Sequence, residues 1–209
     1  MTAIMLHNFY KAILVVGLVL GTSASAAEPQ RDKLQGTINA ALDVIYSDCC
    51  ASLSDDEKQA KVRKTVEASY DFDVIIRRAI GRNWELMSGS EQTQVLELVK
   101  QMVLKAYVKG LNGKERPKVT LGEVIKISDK RMEIKSTIWL DGKTYYVLYR
   151  LGRMESGWQI YDIVAENVSV VSNYREQLDD HFRKGSGAEL ITRLKELLEK
   201  DDINEDTKI

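Results

Sequence analysis

Gly157-Trp158-Gln159-Ile160-Tyr161-Asp162-Ile163-Val164-Ala165-Glu166-Asn167-Val168-Ser169-Val170-Val171-Ser172-Asn173-Tyr174-Arg175 is the stretch whose reading decides the fold. Gly157 follows Ser156 in a turn, and Trp158 to Val164 reads as a strand with one aspartate among its apolar residues. Ser169, or Asn167 before it, can cap a helix that carries Tyr174 and Arg175. The segment contains no nucleophile beside a base, no metal cluster and no phosphate loop.

Upstream of this stretch the period is two. Val119 to Leu121 and Val124 to Ile127 read as an edge region around Gly122. In the next strand Met132, Ile134, Ile138 and Leu140 alternate with Arg131, Glu133, Lys135 and Thr137, so one face is apolar. Asp141-Gly142 is a hairpin signal. The returning strand, Thr144 to Leu151, is apolar on both faces, so much of it should be covered on both sides.

Before the strands the period is helical. Leu34, Ile38, Ala41, Leu42 and Ile45 mark a helix over 32–50. Ser54-Asp55-Asp56-Glu57 opens a charged helix to about 68. Asp71 to Ile80 forms a short helix with Phe72, Ile75, Ile76 and Ala79 turned inward, stopped by Gly81. Ser88-Gly89-Ser90-Glu91 opens the longest helix, over about 90–111, with a broad apolar stripe from Val95 to Tyr107. After the strands come a helix over about 168–183 and another behind Ser186-Gly187-Ala188-Glu189. Helices segregated from an antiparallel meander of about four strands define an α+β fold. These elements form a single domain over 27–200.

The chain ends bound the setting. Lys11, the uncharged run Ala12 to Leu20 and the small residues Ala24-Ser25-Ala26 form an export signal, 1–26, too short for a comfortable membrane span of about 20 residues. No cysteine follows the run closely, which argues against a lipid anchor. Residues 201–209 are a polar tail. Of 30 basic residues only Lys11 lies in the signal, so 29 basic face 31 acidic residues in the remainder. No basic excess exists to neutralise phosphates, which excludes a nucleic-acid partner by composition. Cys49 and Cys50 are adjacent and read as small apolar fillers near a helix end, because neighbouring thiols cannot close an unstrained bridge.

Catalytic groups are scarce. His181 is the only histidine outside the signal, and it follows Asp179 and Asp180 on a polar helix face. Asp162 and Glu166 could form a carboxylate pair, but Glu166 lies past the strand end. Asp162 is better read as a polar residue satisfied by a basic side chain or by backbone donors. No cofactor is expected. Nine tyrosines and three tryptophans against three phenylalanines suit a cavity with a greasy interior and a wet mouth.

The Trp158–Arg175 stretch resembles the signature of the MlaC, or toluene-tolerance, family. So do Asp71-Phe72-Asp73 with its apolar helix, Gly81 and Trp84, and the serine-initiated helix with Gln92, Leu96, Val103 and Tyr107. Two departures stand out: Asn167 where the family usually has glycine, and the Cys49-Cys50 pair. The resemblance implies a curved antiparallel sheet like the cone of NTF2, packed with helices around an apolar pocket that encloses acyl chains. It implies a soluble periplasmic carrier of phospholipid, or of a related lipid such as a hopanoid. Its partners would be an outer-membrane lipoprotein complex and an inner-membrane ABC transporter with an MCE-domain component. Strand alternation, not the motif, nominates the pocket wall: Ile134, Ile138 and Leu140, then Val147 and Tyr149, with Val99, Val103 and Tyr107 of the long helix opposite. Tyr146 and Leu148 compete with Val147 and Tyr149, because both faces of that strand are apolar. Two other readings remain: an exported enzyme on the same cone with Asp162 as acid or base, and an adaptor that carries no lipid.

Overall fold

The computed structural model describes residues 28–200. The signal read over 1–26 and the tail over 201–209 lie outside the described residues. Helix α1 spans Glu28–Tyr46, α2 Asp55–Glu67, α3 Phe72–Ile80 and α4 Gly89–Leu111. The strands are β1 Lys118–Ser128, β2 Arg131–Leu140, β3 Lys143–Met154, β4 Gly157–Ala165 and β5 Val168–Ser169. Helices α5, Val170–Phe182, and α6, Gly187–Glu199, follow.

The three capping boxes form as their spacing demands. Ser54, Ser88 and Ser186 each accept the amide of the glutamate three residues on, and each glutamate returns a bond to the serine amide. At α3, Asp71 accepts the amide of Asp73, and Gly81 ends the helix at φ 59° and ψ −131°. The first helix is displaced from the expected 32–50. It ends at Tyr46, and a separate 3₁₀ turn, Asp48–Cys50, holds the two cysteines. Their thiols are free, with Sγ atoms 3.2 Å apart. Cys50 is buried, as a filler should be. Cys49 is exposed, which corrects that reading for one of the pair.

The sheet is an antiparallel meander in the order β1-β2-β3-β4-β5. The edge region around Gly122 is one continuous strand with a register shift between Leu121 and Val124. Asp141 and Gly142 both take positive φ, 51° and 76°, as a two-residue hairpin turn of the primed type requires. Glu166 and Asn167 do the same at 48° and 67° between β4 and the two-residue β5. Asparagine therefore holds the left-handed position where the family usually has glycine.

Register fixes which side chains share a face. Ile134 pairs with Tyr149, Ser136 with Val147 and Ile138 with Tyr145. Val147 and Tyr149 thus stand on the apolar face of β2. That face is filled near its middle: Leu34 and Ile38 of α1 and Tyr70 pack on Met132, Ile134 and Leu151. Strand β3 is covered from Val147 to Gly152 and open at its start. Tyr145 and Tyr146 are exposed, because no helix reaches over the hairpin end. A second, larger cluster joins α3, α4, α5 and α6 around Ile80, Val95, Leu190 and Leu194.

Candidate binding cavity

Helix α3 presents Phe72, Ile75, Ile76 and Ala79 at helical spacing, and these four side chains wall one side of a cavity of about 600 Å³. Val99, Met102, Val103 and Ala106 of α4 form the second side. Val171, Tyr174 and Leu178 of α5 form the third, and Leu190 and Leu194 of α6 reach it from below. Strand β4 contributes Ile160, Ile163 and Ala165. The cavity therefore lies between the β4 edge of the sheet and four helices, not over the centre of the sheet. Val103 and Val168 line it yet are 44% and 58% exposed, which sets its mouth between α4 and the β4–β5 turn. A shallower pocket adjoins at Val103 and Ala106, with Tyr107, Leu111, Lys114 and Leu140.

Of the eight residues nominated for the wall, Val99 and Val103 line the main cavity. Tyr107 and Leu140 line the adjoining pocket. Ile134 is fully buried and, with Tyr149, belongs to the packing under α1. Ile138 and Val147 share that sheet face, but neither lines either space. Alternation thus identified the apolar face, while α1 fills it. The residues that sequence reasoning left out of the wall are on α3, α5 and β4. Their periodicity was legible as buried, but burial against a neighbour and burial against a void leave the same pattern.

Asp162 is buried and is absent from the cavity lining. Its carboxylate accepts from Arg150 Nη1 at 3.0 Å, from Ser169 Oγ at 2.8 and 3.0 Å, and from the Val171 amide at 3.2 Å. Arg150 also donates to Glu133 at 3.1 Å. Ser169 in turn caps α5 by accepting the Ser172 amide. The aspartate of the strand therefore fixes the first turn of the next helix, where its negative charge suits the exposed amides. Glu166 is engaged elsewhere, accepting the Tyr146 amide at 2.6 Å. Burial pushes the phenols of Tyr70 and Tyr149 up to about 12 and raises that of Tyr107 as well. Among the described residues no group of three or more His, Cys, Asp or Glu is placed to hold a metal ion, and no helix is long and apolar enough to cross a membrane.

A helix-covered antiparallel sheet with a large apolar hollow defines a cavity-bearing α+β domain. The model of the MlaC protein family matches residues 35–196, and the chain belongs to that family. Among solved structures it is similar to the phospholipid-binding protein from Ralstonia solanacearum, determined in complex with a phospholipid. The identity is 21% and the TM-score 0.66, over 79% of this chain and 94% of that one. A domain of unknown function with a cystatin-like fold from Nostoc punctiforme is 18% identical, over 50% of this chain and 70% of that one, at a TM-score of 0.27. No curated protein matches the chain.

Proposed function

We propose that this chain is an exported, periplasmic lipid carrier that takes the acyl part of a phospholipid into the cavity between β4 and helices α3–α6. The apolar hollow of about 600 Å³ in a fold of the MlaC family carries this reading. The phospholipid bound by the Ralstonia protein supports it. Burying a methylene is worth about 0.8 kcal/mol, so two tails of roughly 30 methylenes would cost about 24 kcal/mol to expose. A carrier removes that cost between an outer-membrane lipoprotein complex and an inner-membrane ABC transporter with its MCE-domain component. Release then requires that a partner favour an opened form.

The two competing readings fit less well. An enzyme using Asp162 would need it in the hollow, whereas its carboxylate is committed to Arg150, Ser169 and the start of α5. An adaptor that carries nothing gains nothing from leaving a void unfilled in its core. The test is lipid mass spectrometry on the natively purified protein, alongside Ala106→Trp, which adds bulk where the cavity and the adjoining pocket meet. The variant should lose co-purified lipid and keep its thermal midpoint. Overpacking of a filled core would instead cost about 1–3 kcal/mol. A wild-type protein free of lipid, and unable to extract it from vesicles, would sink the proposal.

A further inference from the structure

The end of the sheet beside the cavity mouth is unlike the rest of the surface. Trp139, Tyr145 and Tyr146 are 44%, 39% and 64% exposed there. Trp139 pairs with Thr144 and Thr137 with Tyr146, so Trp139 and Tyr146 are diagonal neighbours on one face. Lys118 pairs with Trp139 from β1, and Lys143 pairs with Leu140 across the hairpin turn. The patch is joined to the mouth. The Glu166 amide donates to the Tyr146 carbonyl, the Tyr146 amide donates to the Glu166 carboxylate, and the Val168 that follows lines the cavity. Leu140 and Val103 line the adjoining pocket from the other side.

We propose that this hairpin end is a membrane-docking face, which sets the cavity mouth against the interfacial zone of a bilayer carrying anionic headgroups. Three observations select that occupant. Tyrosine and tryptophan have an apolar body and a polar edge, the combination that settles at the headgroup level of a bilayer. Lys118 and Lys143 flank the aromatics and have no ion-pair partner among the described residues, so they are available to lipid phosphates. Of the acids nearby, Asp141 faces Lys114 at 4.0 Å and Glu166 receives the Tyr146 amide. Finally, the patch adjoins the opening by which an acyl chain would leave, through the Tyr146–Glu166 contact and Val168, so whatever docks there sits next to the mouth. The purpose of docking rests on the carrier reading, but the docking itself is measured independently.

The test is flotation of the purified protein with vesicles of equal parts phosphatidylglycerol and phosphatidylcholine, against phosphatidylcholine alone. Wild type should float with the anionic vesicles, lose binding as salt rises, and shift its tryptophan emission to the blue. Trp139→Ala/Tyr146→Ala should weaken partition on the order of tenfold, through lost apolar contact. Lys118→Gln/Lys143→Gln should weaken it by about fivefold per lysine, and it stands as the test if the aromatic variant fails to fold. Leu86→Ala, which trims an exposed leucine away from the hairpin, should float like wild type. Equal flotation of wild type and both double variants, or no flotation of wild type, overturns the proposal and leaves the face to a protein partner. Lipid extracted from the same samples separates the two ideas. A chain that floats but carries no lipid keeps this inference and loses the carrier reading; one that carries lipid and never floats does the reverse.

Discussion

Asp162 concentrates more of the local structure than any other polar side chain in the chain's signature. It sits within β4, pairs with Arg150 and fixes the approach to α5 through Ser169 and the Val171 amide. Asp162→Asn keeps the shape but removes the charge and turns a donor toward donors. Arg150 is partly exposed and can be rehydrated, so the loss should fall near 2–3 kcal/mol rather than at the top of the range for broken buried pairs. Urea unfolding would read it, and lipid content should survive in the molecules that remain folded; a variant of wild-type stability would remove Asp162 from this role. Gly81 is constrained as tightly. A Cβ there would sit 3.1 Å from Arg175 Nε, at a positive φ that side chains rarely adopt. Arg175 also donates to the Arg78 carbonyl. Gly81→Ala should therefore cost on the order of 1–3 kcal/mol in thermal or urea unfolding. The sequence displayed a lone aspartate in a strand and a glycine after a helix. Their partners, 12 and 94 positions away for Arg150 and Arg175, were not legible, because they depend on how the elements cross.

Elements were legible where a local rule fixes them. A serine followed three residues later by glutamate satisfies its own helix start, whatever surrounds it. Asp141-Gly142 turns a chain without tertiary help. Elements that depend on cover were less so: β3 is apolar on both faces, yet its first residues face outward at the hairpin end. The charged helix α2 also depends on a cross-helix contact that its weak stripe does not announce. Arg63 donates to both oxygens of Glu97 on α4, at 2.6 and 2.9 Å. The Arg63 guanidinium holds the Glu97 carboxyl down to about 2, against an ordinary value near 4.3. A carboxyl depressed in the folded state adds stability above its unfolded pKa and loses it as pH falls through the folded one. The contribution is therefore full at neutral pH and fades between about pH 4.5 and 2. Glu97 is 43% exposed, so solvent screens the pair well below what the shift suggests. Glu97→Gln should be less stable than wild type by about 0.5–1 kcal/mol at neutral pH, and the difference should vanish near pH 2. A gap that persists unchanged in acid would mean that packing, not charge, joins the two helices.

The whole molecule differs from the expected one in where it is hollow. Apolar periodicity reports that a side chain avoids water, and Ile134 under α1 satisfies it as well as Ile75 beside the void. Only the placement of helices against the sheet distinguishes the two, and that is set by long-range packing rather than by any local pattern. The size of the hollow has a consequence for function. At roughly 30 Å³ for a group the size of a water molecule, about 600 Å³ holds on the order of 20 such groups. Two tails of roughly 30 methylenes exceed that, so on the carrier reading a diacyl lipid would load with α3 and α5 yielding outward from β4 or with part of its tails in the open mouth at Val103 and Val168. Interiors are close-packed and resist holes, so an emptied cavity leaves the surrounding helices short of contacts. A bound lipid also stabilises the folded state alone, by mass action. Extracting lipid from the native protein should therefore lower its thermal midpoint and speed amide exchange in α3 and α5, while β2, buried under α1, keeps its protection. Ala106→Trp should show neither change, because it has no co-purified lipid to lose. Equal midpoints before and after extraction in wild type, with lipid loss verified by mass spectrometry, would mean that the hollow contributes nothing to binding and that the lipid sits elsewhere on the chain.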